Sequence, residues 1–158
     1  MHTNPGLRIT FAAPADIDTL RRVFRQASLS NDGDRAKLLA NPDALELSES
    51  CVREGRARVA LTNDGRIVGF ASSLDAGDGL ELEDLFVDPE WMKRGVGRAL
   101  VRDVIETARR RGFSRVAVIA NPHARGFYEK VGFVVDREVE TRLGPGSRMY
   151  LAISPSAG

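Results

Sequence analysis

The chain has 158 residues, with 23 Lys plus Arg against 22 Asp plus Glu and a net charge of +1. That length suits one ordinary domain with a real core, a single domain over 1–158, and the near-neutral balance argues against a nucleic-acid surface. Cys51 is the only cysteine, which excludes an internal disulfide and points to a reducing compartment. No histidine signature accompanies it to suggest a thiol nucleophile. Residues 1–5 (MHTNP) lack the charged and apolar regions of a signal peptide, and no apolar run approaches a membrane span. The expectation is a soluble, cytoplasmic protein with no membrane partner.

In chain order, Leu7, Ile9 and Phe11 alternate with polar residues and predict a first strand over 6–11. A helix start follows at Pro14, Ala15 and Asp16, and Ile17, Leu20, Val23, Phe24 and Ala27 recur at helical spacing. Residues 28–34 (SLSNDGD) read as a polar break. Residues 35–54 carry short helical signals interrupted at Asn41 and Pro42. The period then changes to two. Residues 58–62 and 67–73 predict strands joined by a tight turn at Asn63, Asp64 and Gly65. A second turn over 75–79 leads to a strand over 80–87 (LELEDLFV). The strongest helix signal comes next, with Leu100, Val101, Val104, Ile105 and Ala108 forming one apolar stripe. Arg109, Arg110 and Arg111 suit its last turn and Gly112 its end. Residues 115–120 (RVAVIA) predict an apolar strand, 124–130 a short helix closed at Gly132. Residues 133–143 and 148–153 predict closing strands around Gly144, Pro145 and Gly146. This order describes a mixed α/β single domain.

Chemistry concentrates first in the turn before the long helix, KRGVGR at 93–98. Gly95 and Gly97 stand where a loop becomes a helix, and glycine permits unusual backbone angles and removes a Cβ that would block a ligand. No Ser, Thr, Asp or Asn caps the helix start. Its free N–H groups and positive dipole end, with Lys93, Arg94 and Arg98 nearby, suit an anion. An ordinary glycine loop with solvated cations fits the same residues. Leu100 stands where a dinucleotide fingerprint needs its third glycine, and no Walker-type loop is present.

A second segment separates these readings. Asn121, Ala124, Tyr128, Gly132 and Phe133 stand in the spacing Asn-x-x-Ala-x-x-x-Tyr-x-x-x-Gly-Phe. Together with the turn, this resembles the GNAT superfamily of N-acetyltransferases over about residues 80–133, and the order of elements along the whole chain agrees. Met92 departs from the family pattern, which has Arg or Gln there. The resemblance implies a mixed, mostly antiparallel sheet of 6–7 strands flanked by about four helices, split in a V between two central parallel strands. It implies acetyl-CoA as co-substrate and no metal. The pyrophosphate would be bound across Met92, Lys93, Arg94, Gly95, Val96, Gly97 and Arg98, largely by backbone N–H groups. The pantetheine arm would meet main chain near Phe86 and Val87, with Asn121 holding it.

Direct acetyl transfer requires that the amine lose a proton, the thioester oxygen be stabilised and the departing thiolate be protonated. Glu81, Glu83 and Asp84 lie on the strand leading to the turn, with Glu81 and Glu83 on one face by strand alternation. By the resemblance, Glu81 falls where some members keep their base and Glu83 lies one pleat nearer the thioester, so Glu83 is favoured. Solvated acids on a half-exposed strand would look the same. Tyr128 matches the family tyrosine that donates to the coenzyme A sulfur, and a phenol with pKa about 10 is protonated at neutral pH. A backbone N–H near Val87 would meet the oxyanion. His123 is an alternative base or plain polar surface, and Trp91 would cover the adenine or pack under the loop. His2, His123 and Cys51 lack metal-ligand spacing.

These readings predict an acetyl group moved to a primary amine of a small molecule or peptide. Two rivals keep the fold: a CoA-binding module without turnover, and an acetyltransferase of aminoacyl-tRNA, which the near-neutral charge disfavours. The loop at 28–34, the segment to Glu54 and the hairpin at Gly144–Gly146 would select the acceptor. Homodimers are common in the family.

Overall fold

A computed structural model describes residues 6–154 of the chain, so residues 1–5, His2 among them, lie outside the described residues. The strands are β1 (Arg8–Phe11), β2 (Ala57–Leu61), β3 (Ile67–Ala76), β4 (Gly79–Val87), β5 (Arg115–Ala120), β6 (Val134–Thr141) and β7 (Gly144–Ala152). The helices are α1 (Ile17–Leu29), α2 (Asp32–Ala40), α3 (Ser50–Arg53), α4 (Val96–Arg110) and α5 (Arg125–Val131). The strands form one mostly antiparallel sheet in the order β1-β2-β3-β4-β5-β7-β6, with β4 and β5 as its parallel pair. That architecture is the mixed α/β fold the resemblance implies.

Two compact units divide the residues: those up to Ser72 with Asp84–Val101, and Ser73–Glu83 with those from Arg102 onward. In the first, Leu20, Val23 and Phe24 of α1 pack with Cys51, Val52, Val59, Ile67 and Phe70. The helical spacing of those apolar positions turns one stripe of α1 inward. Phe24 meets Phe86 edge to face, centroids 4.7 Å apart, an arrangement worth about 0.5–1.5 kcal/mol beyond area burial. Gly69 of β3 lets α4 come close. A Cβ there would lie 2.9 Å from Val96 Cγ1 and 3.0 Å from the Phe86 carbonyl oxygen.

In the second unit, β5 is the hub. It pairs with β4 from Gly79↔Arg115 to Leu82↔Val118 and with β7 along its whole length. Glu83–Val87 of β4 and residues 119–120 of β5 lie beyond the last β4–β5 pair. Val116, Val118, Met149, Tyr128 and Phe133 are buried.

Four expectations change. The break expected over 28–34 narrows to residues 30–31, since α1 runs to Leu29 and α2 begins at Asp32. Ser30 Oγ donates to the Ala27 carbonyl and Arg35 Nη1 to the Leu29 carbonyl, which meets two of the carbonyls that the end of α1 leaves open. The turn between β3 and β4 is only Gly77 and Asp78, not 75–79, with Gly77 at φ 66°. The long helix starts at Val96, one residue before Gly97. Gly144, Pro145 and Gly146 belong to β7, and Arg142 and Leu143 make the turn. Pro145 is tolerated because the β5–β7 ladder begins only at Ser147↔Ala120, so its missing N–H is not needed there.

Candidate functional site

The turn after β4 is built from the buried carboxylate of Asp88. Its Oδ1 accepts from the Glu90 amide at 3.0 Å, its Oδ2 takes Arg66 Nη2 at 3.3 Å, and its own amide donates to the Val68 carbonyl at 2.9 Å. Pro89 then starts a 3-10 turn, Pro89–Trp91, in the position where a fixed φ and a missing N–H cost nothing. Lys93 (φ 64°) and Gly95 (φ 83°) follow in the left-handed region on either side of Arg94. Positive φ is uncommon for a side chain such as lysine. Alternation of this kind turns successive N–H groups to one side, the geometry of anion-binding backbone nests.

α4 begins at once, with no acidic residue in its first turn. Among the described residues, no protein acceptor satisfies the amides of Gly95, Val96, Gly97 and Arg98. Four open amides at the positive end of a 15-residue helix suit a phosphate group. Val96 is buried and anchors the turn, while Met92 is exposed and its side chain is not needed for that geometry. The Arg94 guanidinium lies 4.9 Å from the Trp91 ring centroid, so Trp91 supports the loop's cation.

The second segment spends its polar groups differently. Asn121 Oδ1 accepts from the Ala124 amide at 2.9 Å and the Asn121 carbonyl accepts from Ala124 and Arg125, which starts α5. Gly132, at φ 121°, closes it. Tyr128 is buried between Phe127 and Phe133, centroids 5.1 and 5.4 Å away. Burial pushes its phenol well above the ordinary value. Its hydroxyl bonds no protein group among the described residues, yet it is not sealed from the surface. A buried ring with an open, firmly protonated hydroxyl is the form a proton donor needs.

The acids of β4 fall into three environments. Glu81 is half-buried and meets Arg148 Nη1 at 3.3 Å. Glu83 is exposed, and Asp84 accepts from the buried Ser72 hydroxyl. Phe86 is tied into the α1 core, and Val87 leads directly into Asp88. His123 is exposed. Cys51 is buried, and burial followed by the Asp84 charge pushes its thiol up, which suits a core residue rather than a nucleophile. A cavity of about 650 Å³ opens between Arg22, Gln26, Arg66, Asp88, Pro89 and Glu90. It shares the loop with the turn but contains neither the open amides nor Tyr128. Sequence reading missed Arg66 and Asp88, whose only local signal is the Asp88-Pro89 pair that ends β4.

The described residues show no helix long and apolar enough to cross a membrane. Fold and turn define the class: an α/β protein that presents an open, cationic helix start. A family model described as the acetyltransferase (GNAT) family matches residues 21–133, and the chain belongs to that family. It is 36% identical over 96 residues to serotonin N-acetyltransferase 2, chloroplastic, of Oryza sativa subsp. japonica, covering 59% of this chain and 46% of that protein. It is 37% identical over 76 residues to glucosamine 6-phosphate N-acetyltransferase of Trypanosoma brucei brucei, covering 44% and 52%. It thus spans about half the length of these two relatives. An uncharacterized N-acetyltransferase of Mycobacterium bovis is 33% identical over 109 residues, covering 66% of this chain and 70% of that protein. Among solved structures, the PaiA N-acetyltransferase of Thermoplasma acidophilum in complex with coenzyme A superposes with TM-score 0.73 at 17% identity, covering 92% of this chain and 98% of that one. The ribosomal-protein-S18-alanine N-acetyltransferase of Escherichia coli gives 0.68 at 22%, covering 96% of each.

Proposed function

We propose that the chain is an acetyl-CoA-dependent N-acetyltransferase, one domain working in the cytoplasm, that acetylates a primary amine within a ternary complex. The observation that carries this reading is the set of open amides at residues 95–98, framed by left-handed Lys93 and Gly95. They fit a diphosphate, with Arg94 and Arg98 adding charge. Acetyl-CoA would supply an activated thioester, whose C–S bond breaks as the amine nitrogen forms the new C–N bond.

The chain's own groups handle the protons. Glu83 collects the proton the amine gives up, directly or through water. It is the more exposed of the two candidate carboxylates. Tyr128 gives its phenolic proton to the departing thiolate and recovers one from solvent, and its raised pKa keeps it protonated beforehand. A backbone N–H near Val87 would meet the developing oxyanion, and the Asn121 side-chain amide would hold the pantetheine arm. The aligned relatives act on amines, as their names state, which supports the acceptor class.

Calorimetric titration with acetyl-CoA, followed by thiol release across an amine panel, tests the proposal. Saturable binding and release on at least one amine are expected. Absence of binding by the folded protein overturns the reading, and binding without release on any amine replaces it with a coenzyme-responsive module.

A further inference from the structure

The β6–β7 ladder sets Arg137 directly opposite Arg148. Directly opposed residues share a face with Cβ atoms only about 4.5–5.5 Å apart, and like charges so placed are destabilising. The β5–β7 ladder puts Ile119 opposite Arg148 on the other side, so one row crosses the sheet as Ile119, Arg148, Arg137. Ile119 is 47% exposed although apolar, which leaves this face of the row open. The charges in the row are only partly offset. Glu81 takes one nitrogen of Arg148, and among the described residues Arg137 has no carboxylate partner. Of the two acids flanking it along β6, Glu138 accepts from the buried Ser147 hydroxyl and pairs with Arg125, and Asp136 forms no ion pair among the described residues. One guanidinium is therefore left over on an open face.

The position matters as much as the charge. β4 and β5 are last paired at Leu82↔Val118, and Ile119 is the next residue of β5. Arg148 thus stands in the first row past the end of the parallel pairing, within reach of Glu81 on β4. The register sets two arginines opposite each other at that point, and an anion held by both would relieve their mutual repulsion. Arginine forks grip carboxylates and phosphates through paired N–H donors.

We propose that Arg137 and Arg148 recognise an anionic group, carboxylate or phosphate, on the acceptor amine, so that the substrate is a small amine carrying a negative charge. This rests on the acetyltransferase reading and narrows its substrate class. The two guanidiniums hold the anion and Glu81 keeps Arg148 extended toward it. The amine then points to the base by the geometry of the substrate rather than by a side chain that binds it.

Matched amines test the inference: phosphoethanolamine against ethanolamine, and β-alanine against propylamine, with acetyl-CoA saturating. The expected result is a higher kcat/KM for the charged member of at least one pair. Which pair shows it tells phosphate from carboxylate. Arg137→Ala should reduce that charged-to-neutral ratio about tenfold, the size of one charge-assisted bond, with Arg137→Lys recovering part of it. Arg137 is exposed on an edge strand, so the variant is expected to fold, and an unchanged melting temperature checks this. Independently of turnover, inorganic phosphate with coenzyme A present should raise the melting temperature of the parent and not of Arg137→Ala. Equal kcat/KM within both pairs, or no phosphate effect that depends on Arg137, overturns the anionic acceptor while acetyl-CoA binding and thiol release still stand. Loss of acetyl-CoA binding itself would instead strike the enzyme reading.

Discussion

The turn at 92–98 and the segment at 121–133 solve opposite problems with the same few residue types. In the turn, binding capacity lies in main-chain amides that the backbone leaves open, and the side chains around them are exchangeable. In the segment, the main chain is closed on itself by Asn121 and Gly132, and what it offers is side-chain groups, the Tyr128 hydroxyl above all. The first should therefore tolerate changes of side chain but not of backbone angle, and the second the reverse.

The sharpest break of that contrast is Tyr128→Phe. It keeps the buried ring and removes the hydroxyl, so kcat should fall about 10²-fold, the low end of a general acid's contribution, with acetyl-CoA affinity nearly unchanged. Steady-state kinetics beside calorimetry check it, and an equal loss in both would make the hydroxyl a binding group. Next in size is Gly69→Ala. Its Cβ would meet Val96 and the Phe86 carbonyl, and overpacking there should cost about 1–3 kcal/mol, read as a lower urea midpoint. Gly95→Ala probes the turn itself. Nothing lies within 4 Å of the added methyl, so any effect comes from φ alone, where a side chain costs about 1–2 kcal/mol. Acetyl-CoA binding should weaken about tenfold, and unchanged binding would show that the turn adopts its shape freely.

Two smaller effects sharpen the comparison. Because burial raises the folded Tyr128 pKa above that of the unfolded chain, its stabilising effect is complete below pH about 10 and is lost as pH rises beyond it. Melting followed into alkali should show that loss, and Tyr128→Phe should lessen it. The smallest effect is Met92→Arg, which restores the family's usual residue at an exposed position. Less than about a threefold change in acetyl-CoA affinity is expected from one solvent-screened charge, and a larger gain would mean that the site reads side chains after all.

Much of the frame was legible along the chain. The α1 and α4 stripes, the hairpin around Gly65, β5 at Arg115–Ala120 and the Gly132 stop were read from spacing, because each depends on neighbours within a few residues. The turn at 93–98 was readable as a candidate anion site from its glycines and cations, and the segment at 121–133 through the family resemblance its residues carry. The missed features depend on partners far away. Asp88 holds its loop through Arg66, 22 residues earlier. Arg148 reaches Glu81 across 67 residues. The opposition of Arg137 and Arg148 follows a register shift between Val135 and Arg137 that no local pattern announces.

The sequence by itself determined which segments bury an apolar face and where glycines permit left-handed backbone. These are local consequences of side-chain volume, periodicity and the absence of a Cβ. Only the tertiary structure decided that the amides at 95–98 stay open, that the Tyr128 ring is enclosed while its hydroxyl is not, and that two arginines share one row. Hydrogen-bond satisfaction and charge proximity are properties of what surrounds a group, and the chain's own order does not fix that until the sheet has chosen its register.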